Sequence, residues 1–112
     1  FNILAFRMNG ARFLDICAGT GLVGIEALSR GAQSLISIEE NRAVAKAVEN
    51  SLKKLNLEGE VICGDWKRVL PILEPKSFDI IFADPPYKSP HIKDIPLSVE
   101  KHDLLADGGL LV

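Results

Sequence analysis

Apolar positions in this chain come as short runs separated by stretches of helical spacing. Residues 11–16 (ARFLDI), 34–39 (SLISIE), 60–64 (EVICG) and 78–83 (FDIIFA) are long enough for strands and too short for helices. Between the first two runs, Leu22, Ile25 and Leu28 recur at helical intervals, and Gly31 stands where a left-handed helix end is wanted. From Asn41 to Leu55, the residues Val44, Val48, Leu52 and Leu55 form one stripe with charges opposite, which predicts an amphipathic helix. Residues 65–73 predict a short helix disturbed by Pro71. Another helix is expected from about Ile95 to Leu105, stopped near Gly108 and Gly109, with a fifth strand opening at residues 110–112.

Strands alternating with helices predict an α/β fold, a Rossmann-like, doubly wound, mostly parallel sheet with helices on both faces. Ligands in such sheets bind beyond the carboxyl ends of the strands. At those ends stand Asp15 with a glycine turn, Glu39, Asp65, and Asp84 with two prolines. One such acid would be an ordinary helix cap. Four of them delivered to one rim are the main functional signal.

Composition narrows the class without naming the chemistry. The 112 residues suit one domain over 1–112, and 47% hydrophobic with 25% charged residues is a globular profile. A net charge of -2 gives no basic footprint, so a nucleic-acid partner would need local Lys/Arg clusters or parts outside this sequence. No apolar run approaches the roughly 20 residues of a membrane span. Cys17 and Cys63 form no CxxC pair, and no metal-ligand cluster is expected; reduced thiols in a cytoplasmic protein are the plain reading. Both ends read as cut. The opening FNILAF resembles the tail of a helix and the closing GGLLV a strand just starting, so missing flanking segments are an expectation.

The turn Gly19-x-Gly21-x-x-Gly24 satisfies a dinucleotide fingerprint, and Glu39 follows Gly19 at the spacing of a ribose-binding acid. Two cofactors fit. A pyrophosphate would bring negative charge to the helix N-terminus. S-adenosyl-L-methionine would bring a cationic sulfonium and an ammonium group. Asp15, just ahead of the turn, would repel the first and favour the second. Glu39 suits either, as a bidentate acceptor for ribose hydroxyls, and its plainer reading is a solvated first-turn acid. Asp65 can accept from an adenine amino group, while the backbone at Trp66 can meet a ring nitrogen. Asp65 can equally cap the short helix, and the Trp66 ring reads better as packing than as adenine stacking.

The segment IIFADPPYKSP, residues 80–90, places a carboxylate, two stiff residues and a ring at a strand mouth. An exocyclic nucleobase amine is a poor nucleophile because its lone pair is delocalised. Acceptors at tetrahedral angles favour the pyramidal shape it needs to accept a methyl group. Asp84 supplies one oxygen and the carbonyl of Pro85 a second, with proline geometry holding both in place. Tyr87 offers a flat face to an extruded base. Alone, Asp-Pro-Pro-Tyr would be a rigid turn with Tyr87 as a lid on the core. Lys88, His91 and Lys93 follow closely; a solvated loop is their plain reading.

The stretches LDICAGTGLVGIEALSRGA, IEENRAVAKAVENSL and FADPPY resemble the class I S-adenosylmethionine-dependent methyltransferases that modify exocyclic amines. The opening FNIL, GIEALSRGA after the turn and NRAV after the acid are more similar to the bacterial 16S ribosomal RNA guanine-N2 methyltransferase family. That resemblance implies that Ala18, Gly19 and Gly21 wrap the methionine part with Asp15 behind them. It implies that Glu39 holds the ribose, that Asp65 and Trp66 meet the adenine, that Asp84 and Pro85 hold the target amine, and that Tyr87 stacks on the base. Its implied partner is ribosomal RNA or the small ribosomal subunit. Cys17 stands where that family more often has Phe. The family's N-terminal basic stretch and terminal hairpin have no counterpart in this sequence. Asp-Pro-Pro-Tyr does not separate guanine from adenine, so a DNA adenine-N6 methyltransferase stays open. An NAD-dependent oxidoreductase would leave Asp-Pro-Pro-Tyr idle, and a catalytically silent binding scaffold is the remaining alternative.

Overall fold

The computed structural model describes residues 8–84 and 93–112. Five strands, β1 (Arg12–Ile16), β2 (Ser34–Glu39), β3 (Glu60–Cys63), β4 (Phe78–Ala83) and β5 (Leu105–Leu111), form one sheet in the order β3-β2-β1-β4-β5. Every pairing is parallel. The helices α1 (Leu22–Ser29), α2 (Arg42–Lys54), α3 (Trp66–Val69, continued by a 3-10 turn at Leu70–Ile72) and α4 (Asp94–Lys101) provide the crossovers. This is the Rossmann-like, doubly wound arrangement expected from the alternation of periods, and β1 sits at the point where the strand order reverses.

Side-chain alternation along β1 sends Phe13 to one face and Leu14 and Ile16 to the other. The first face packs Phe13, Leu35 and Ile80 against Ala27 of α1 and Val48 and Leu52 of α2. The second packs Leu14, Ile16, Ile38 and Ile81 against Trp66, Val69 and Leu70, with Ile95 and Val99 of α4. Burying apolar surface on both faces explains why the central strands read as nearly continuous apolar runs. At the amino ends of β1 and β4, the Arg12 guanidinium holds Asp79 through two bonds of 3.0 and 3.1 Å, and its backbone N–H donates a third at 2.8 Å. That tie lies at the end of the sheet opposite the acids.

Three details differ from the spacing. In α1, Gly24 and Ala27 are buried and Ile25 and Leu28 pack partly buried against the same core, whereas Leu22 is exposed. A Cβ on Gly24 would stand 2.9 Å from Leu35 Cδ2, so a larger residue there would have to displace that side chain. In α2 the buried residues are Ala45, Val48 and Leu52, and Leu55 is exposed beyond the last turn. The last helix ends at Lys101 rather than near Gly108, because Asp103 adopts the left-handed conformation at φ 51. The N–H of Asp103 donates to Glu100 and that of Leu104 to Val99, the double hydrogen bond of a Schellman end. Gly31 ends α1 and Asn56 ends α2 in the same way. Gly108 and Gly109 instead fall inside β5. The register jumps from Phe78 with Leu105 to Ile80 with Leu110, so these glycines belong to an irregularity in a strand.

Candidate functional site

The carboxyl ends of β1, β2 and β4 are level in register, with Ile16 beside Ile38 and Ala83. Asp15, Glu39, Asp65 and Asp84 therefore meet at one rim, as their sequence positions predict. Asp84 follows β4 directly and is exposed. Pro85 and Tyr87, with Lys88 and His91, lie outside the described residues.

The chain leaves β1 by a hydrogen-bonded turn. Ala18 N–H donates to Ile38 O at 2.9 Å, and Gly21 N–H returns to Ala18 O at 2.9 Å. Gly21 has φ +79, and a Cβ there would lie 2.8 Å from Val48 Cγ1, so the turn presses on α2 where only hydrogen fits. At Gly19 the situation is reversed: a Cβ would meet nothing within 4 Å, and the backbone borders open space. The turn can thus approach a ligand closely from that side.

Glu39 is half-buried and engages two backbone amides. Its Oε1 accepts from Gly19 N–H at 2.9 Å and its Oε2 from Asn41 N–H at 2.8 Å. Each oxygen keeps a further lone pair, so the carboxylate remains able to accept hydroxyl donors. Asn41, which the apolar spacing did not single out, caps α2 by accepting from Val44 N–H at 3.1 Å.

Asp15 is buried, and its Oδ2 has no hydrogen-bond partner among the described residues. Its carboxyl is pushed up to about 7, first by burial and then by the charges of Asp84 and Glu39. Its register neighbour on β2 is Ser37, also buried, whose Oγ likewise lacks a partner. The sequence signal for Ser37 was a lone hydroxyl at an inward position of an apolar strand, and it was missed. Two orphaned buried oxygens on neighbouring strands cost about 1–3 kcal/mol each, which sets this spot apart from plain apolar core. A hydrogen-bond donor would satisfy the Asp15 oxygen, whereas an anionic phosphate would add like charge beside it.

Asp65 caps α3, its Oδ1 accepting from Lys67 N–H at 3.0 Å. Its other oxygen is not used by that bond. The Trp66 indole is packed into the core beneath the second face, with Lys67 Nζ 5.9 Å from the ring centroid. The ring therefore packs, and any contact of residue 66 with a ligand would run through its backbone N–H at the first helical position. Cys17 enters the turn at φ 63, and its thiol is pushed up to about 11 by burial and by Glu39, Asp15, Glu40 and Asp65. Three of the acids around it, Asp15, Glu39 and Asp65, belong to the rim. Among the described residues, no group of three or more His, Cys, Asp or Glu side chains could hold a metal ion, and no helix is long and apolar enough to cross a membrane.

A family model described as Conserved hypothetical protein 95 matches residues 1–112. YlbH of Bacillus subtilis (strain 168) is 34% identical over 116 residues, covering 100% of this chain and 63% of that protein. Ribosomal RNA small subunit methyltransferase D of Escherichia coli (strain K12) is 31% identical over 111 residues, 99% of this chain and 56% of the relative. The chain thus spans less than two thirds of the length of these two relatives. The solved structure of yhhF from Escherichia coli superposes with a TM-score of 0.92 at 32% identity, over 99% of this chain and 63% of that one.

Proposed function

Because the chain belongs to the Conserved hypothetical protein 95 family, we propose that it carries the methyl-transfer site of an S-adenosyl-L-methionine-dependent enzyme. Its substrate is ribosomal RNA, or the small subunit that contains it, and its target is an exocyclic amine, guanine N2. The observation that carries this reading is the buried, unpartnered Asp15 carboxyl beneath a glycine turn whose outer side is open, at the same rim as Glu39, Asp65 and Asp84. The relative named for small-subunit ribosomal RNA methylation supports the substrate.

In this reading, the bound cofactor supplies an electrophilic methyl group. The residues of the chain bind and align. Ala18, Gly19 and Gly21 border the methionine part, and Asp15 offers its free oxygen to the ammonium. Glu39 offers its remaining lone pairs to the ribose. Asp65 keeps one oxygen for the adenine amino group while capping α3. Asp84 accepts from the target amine and draws it toward pyramidal geometry; Pro85 and Tyr87 complete this acceptor and stacking set. Alignment contributes most of the rate, because a near-attack arrangement replaces a bimolecular encounter. The alternative dinucleotide reading would set a pyrophosphate against Asp15, where like charges repel.

Methyl transfer from labelled cofactor to undermodified ribosomal RNA or small subunits tests this, with the product nucleoside identified by mass spectrometry. Label at guanine N2 is expected. Asp84→Ala should lower turnover by about a hundredfold or more, while affinity for S-adenosylhomocysteine changes by less than about threefold, since the carboxylate serves the target rather than the cofactor. Label on adenine, or an Asp84→Ala protein that turns over normally, would refute the assignment.

A further inference from the structure

We infer that Glu39 is a positioning residue that locks the two halves of the cofactor site together. This rests on the methyltransferase reading above. Three strand exits converge on Glu39. Its Oε1 holds Gly19 N–H of the β1 turn at 2.9 Å, and its Oε2 holds Asn41 N–H at the entry to α2 at 2.8 Å. Its backbone carbonyl accepts Gly64 N–H at 3.0 Å, immediately before Asp65. The turn that borders the methionine part and the loop that presents Asp65 to the adenine are thus referenced to one residue. Gly19 is held in a left-handed conformation, at φ +56, with open space on the side where a Cβ would stand. Backbone bonds at Ala18 and Gly21 hold the two sides of the turn, and the Glu39 carboxylate bond is the side-chain tie on Gly19 between them.

A carboxylate that served only the ribose would matter equally to every ligand carrying that ribose. A carboxylate that also fixes the turn matters more to ligands that use the turn. The two roles separate with S-adenosylhomocysteine and 5′-methylthioadenosine, which share the adenosine and the thioether but differ in the amino-acid part. Glu39→Gln keeps one acceptor and turns the other position into a donor, so it can hold only one of the two amides. Glu39→Asp keeps the charge but is one methylene short of Gly19.

Competition calorimetry on the wild-type protein and both variants, with melting curves to establish folding, decides the matter. The affinity for S-adenosylhomocysteine should fall at least about fivefold more than that for 5′-methylthioadenosine, the scale of losing one ordinary net hydrogen bond. In protein labelled with 15N-glycine, exchange of the Gly19 amide should quicken by about tenfold for the same lost bond. Equal losses for the two ligands, or unchanged Gly19 exchange, would overturn the inference. A wild-type protein that binds neither ligand would instead overturn the methyltransferase reading.

Discussion

Replacing Asp15 by Asn isolates the energetic cost of a buried acid. Only 1% of Asp15 is exposed, and its Oδ2 finds no partner. In an unfolded chain the group titrates near 3.8, whereas in the fold burial, followed by the charges of Asp84 and Glu39, pushes it up to about 7. Between those values the folded protein keeps a proton that the unfolded chain has released. Stability must therefore fall as pH rises from about 4 to about 7 and level off above that. Fully expressed, a shift of about 3 units is worth about 4 kcal/mol, and relaxation around the charge trims this to roughly 2–4 kcal/mol. Asparagine is nearly isosteric and stays neutral, so the variant retains the titration of every other group and loses this one. Urea denaturation across the window should show the wild type losing roughly 2–4 kcal/mol relative to Asp15→Asn as the pH is raised. Parallel curves for the two proteins would refute the reasoning. The same linkage predicts that an ammonium-bearing cofactor binds the wild type more tightly as pH rises through about 7, because binding requires the ionised form.

Gly21→Ala should destabilise by about 2–3 kcal/mol, combining a left-handed Cβ penalty with the contact on Val48; in a double-mutant cycle with Val48→Ala, chemical denaturation should show a coupling of about 1 kcal/mol, and strict additivity would deny the contact. Asp103 ends α4 at φ 51, so Asp103→Gly should be neutral or stabilising by up to about 1 kcal/mol while Asp103→Val costs about 1–2 kcal/mol; thermal melts in which Val is tolerated as well as Gly would contradict the left-handed assignment.

Strand and helix periods were legible wherever an element buries a whole face. All four strands read as apolar runs lie within about a residue of their expected bounds, and so do α1 and α2. The failure between α4 and β5 has a local cause. Glycine is the usual signal for a left-handed helix end, and here Asp103 takes that conformation while the glycines serve a strand irregularity. On α1, Ile25 and Leu28 pack partly buried against the core as their spacing predicts, while Leu22 is exposed and the buried positions are the small Gly24, set close to Leu35, and Ala27. In the site, the rim acids were legible because strand ends are. The Glu39 tether was not, because a hydrogen bond from Gly19 across 20 residues depends on how the turn folds back over β2. Ser37 carried only a weak signal, one hydroxyl at an inward strand position, and its burial beside Asp15 is what marks it.

The ring of acids around Cys17 has a practical corollary for labelling. With its thiol held near 11 and half enclosed, Cys17 carries almost no thiolate at neutral pH and should resist alkylating dyes. Cys63 is exposed at the end of β3, two residues before Asp65. A thiol-directed fluorophore would thus settle on Cys63 without any engineering, beside the proposed adenine pocket, where its emission could report ligand occupancy in the native protein.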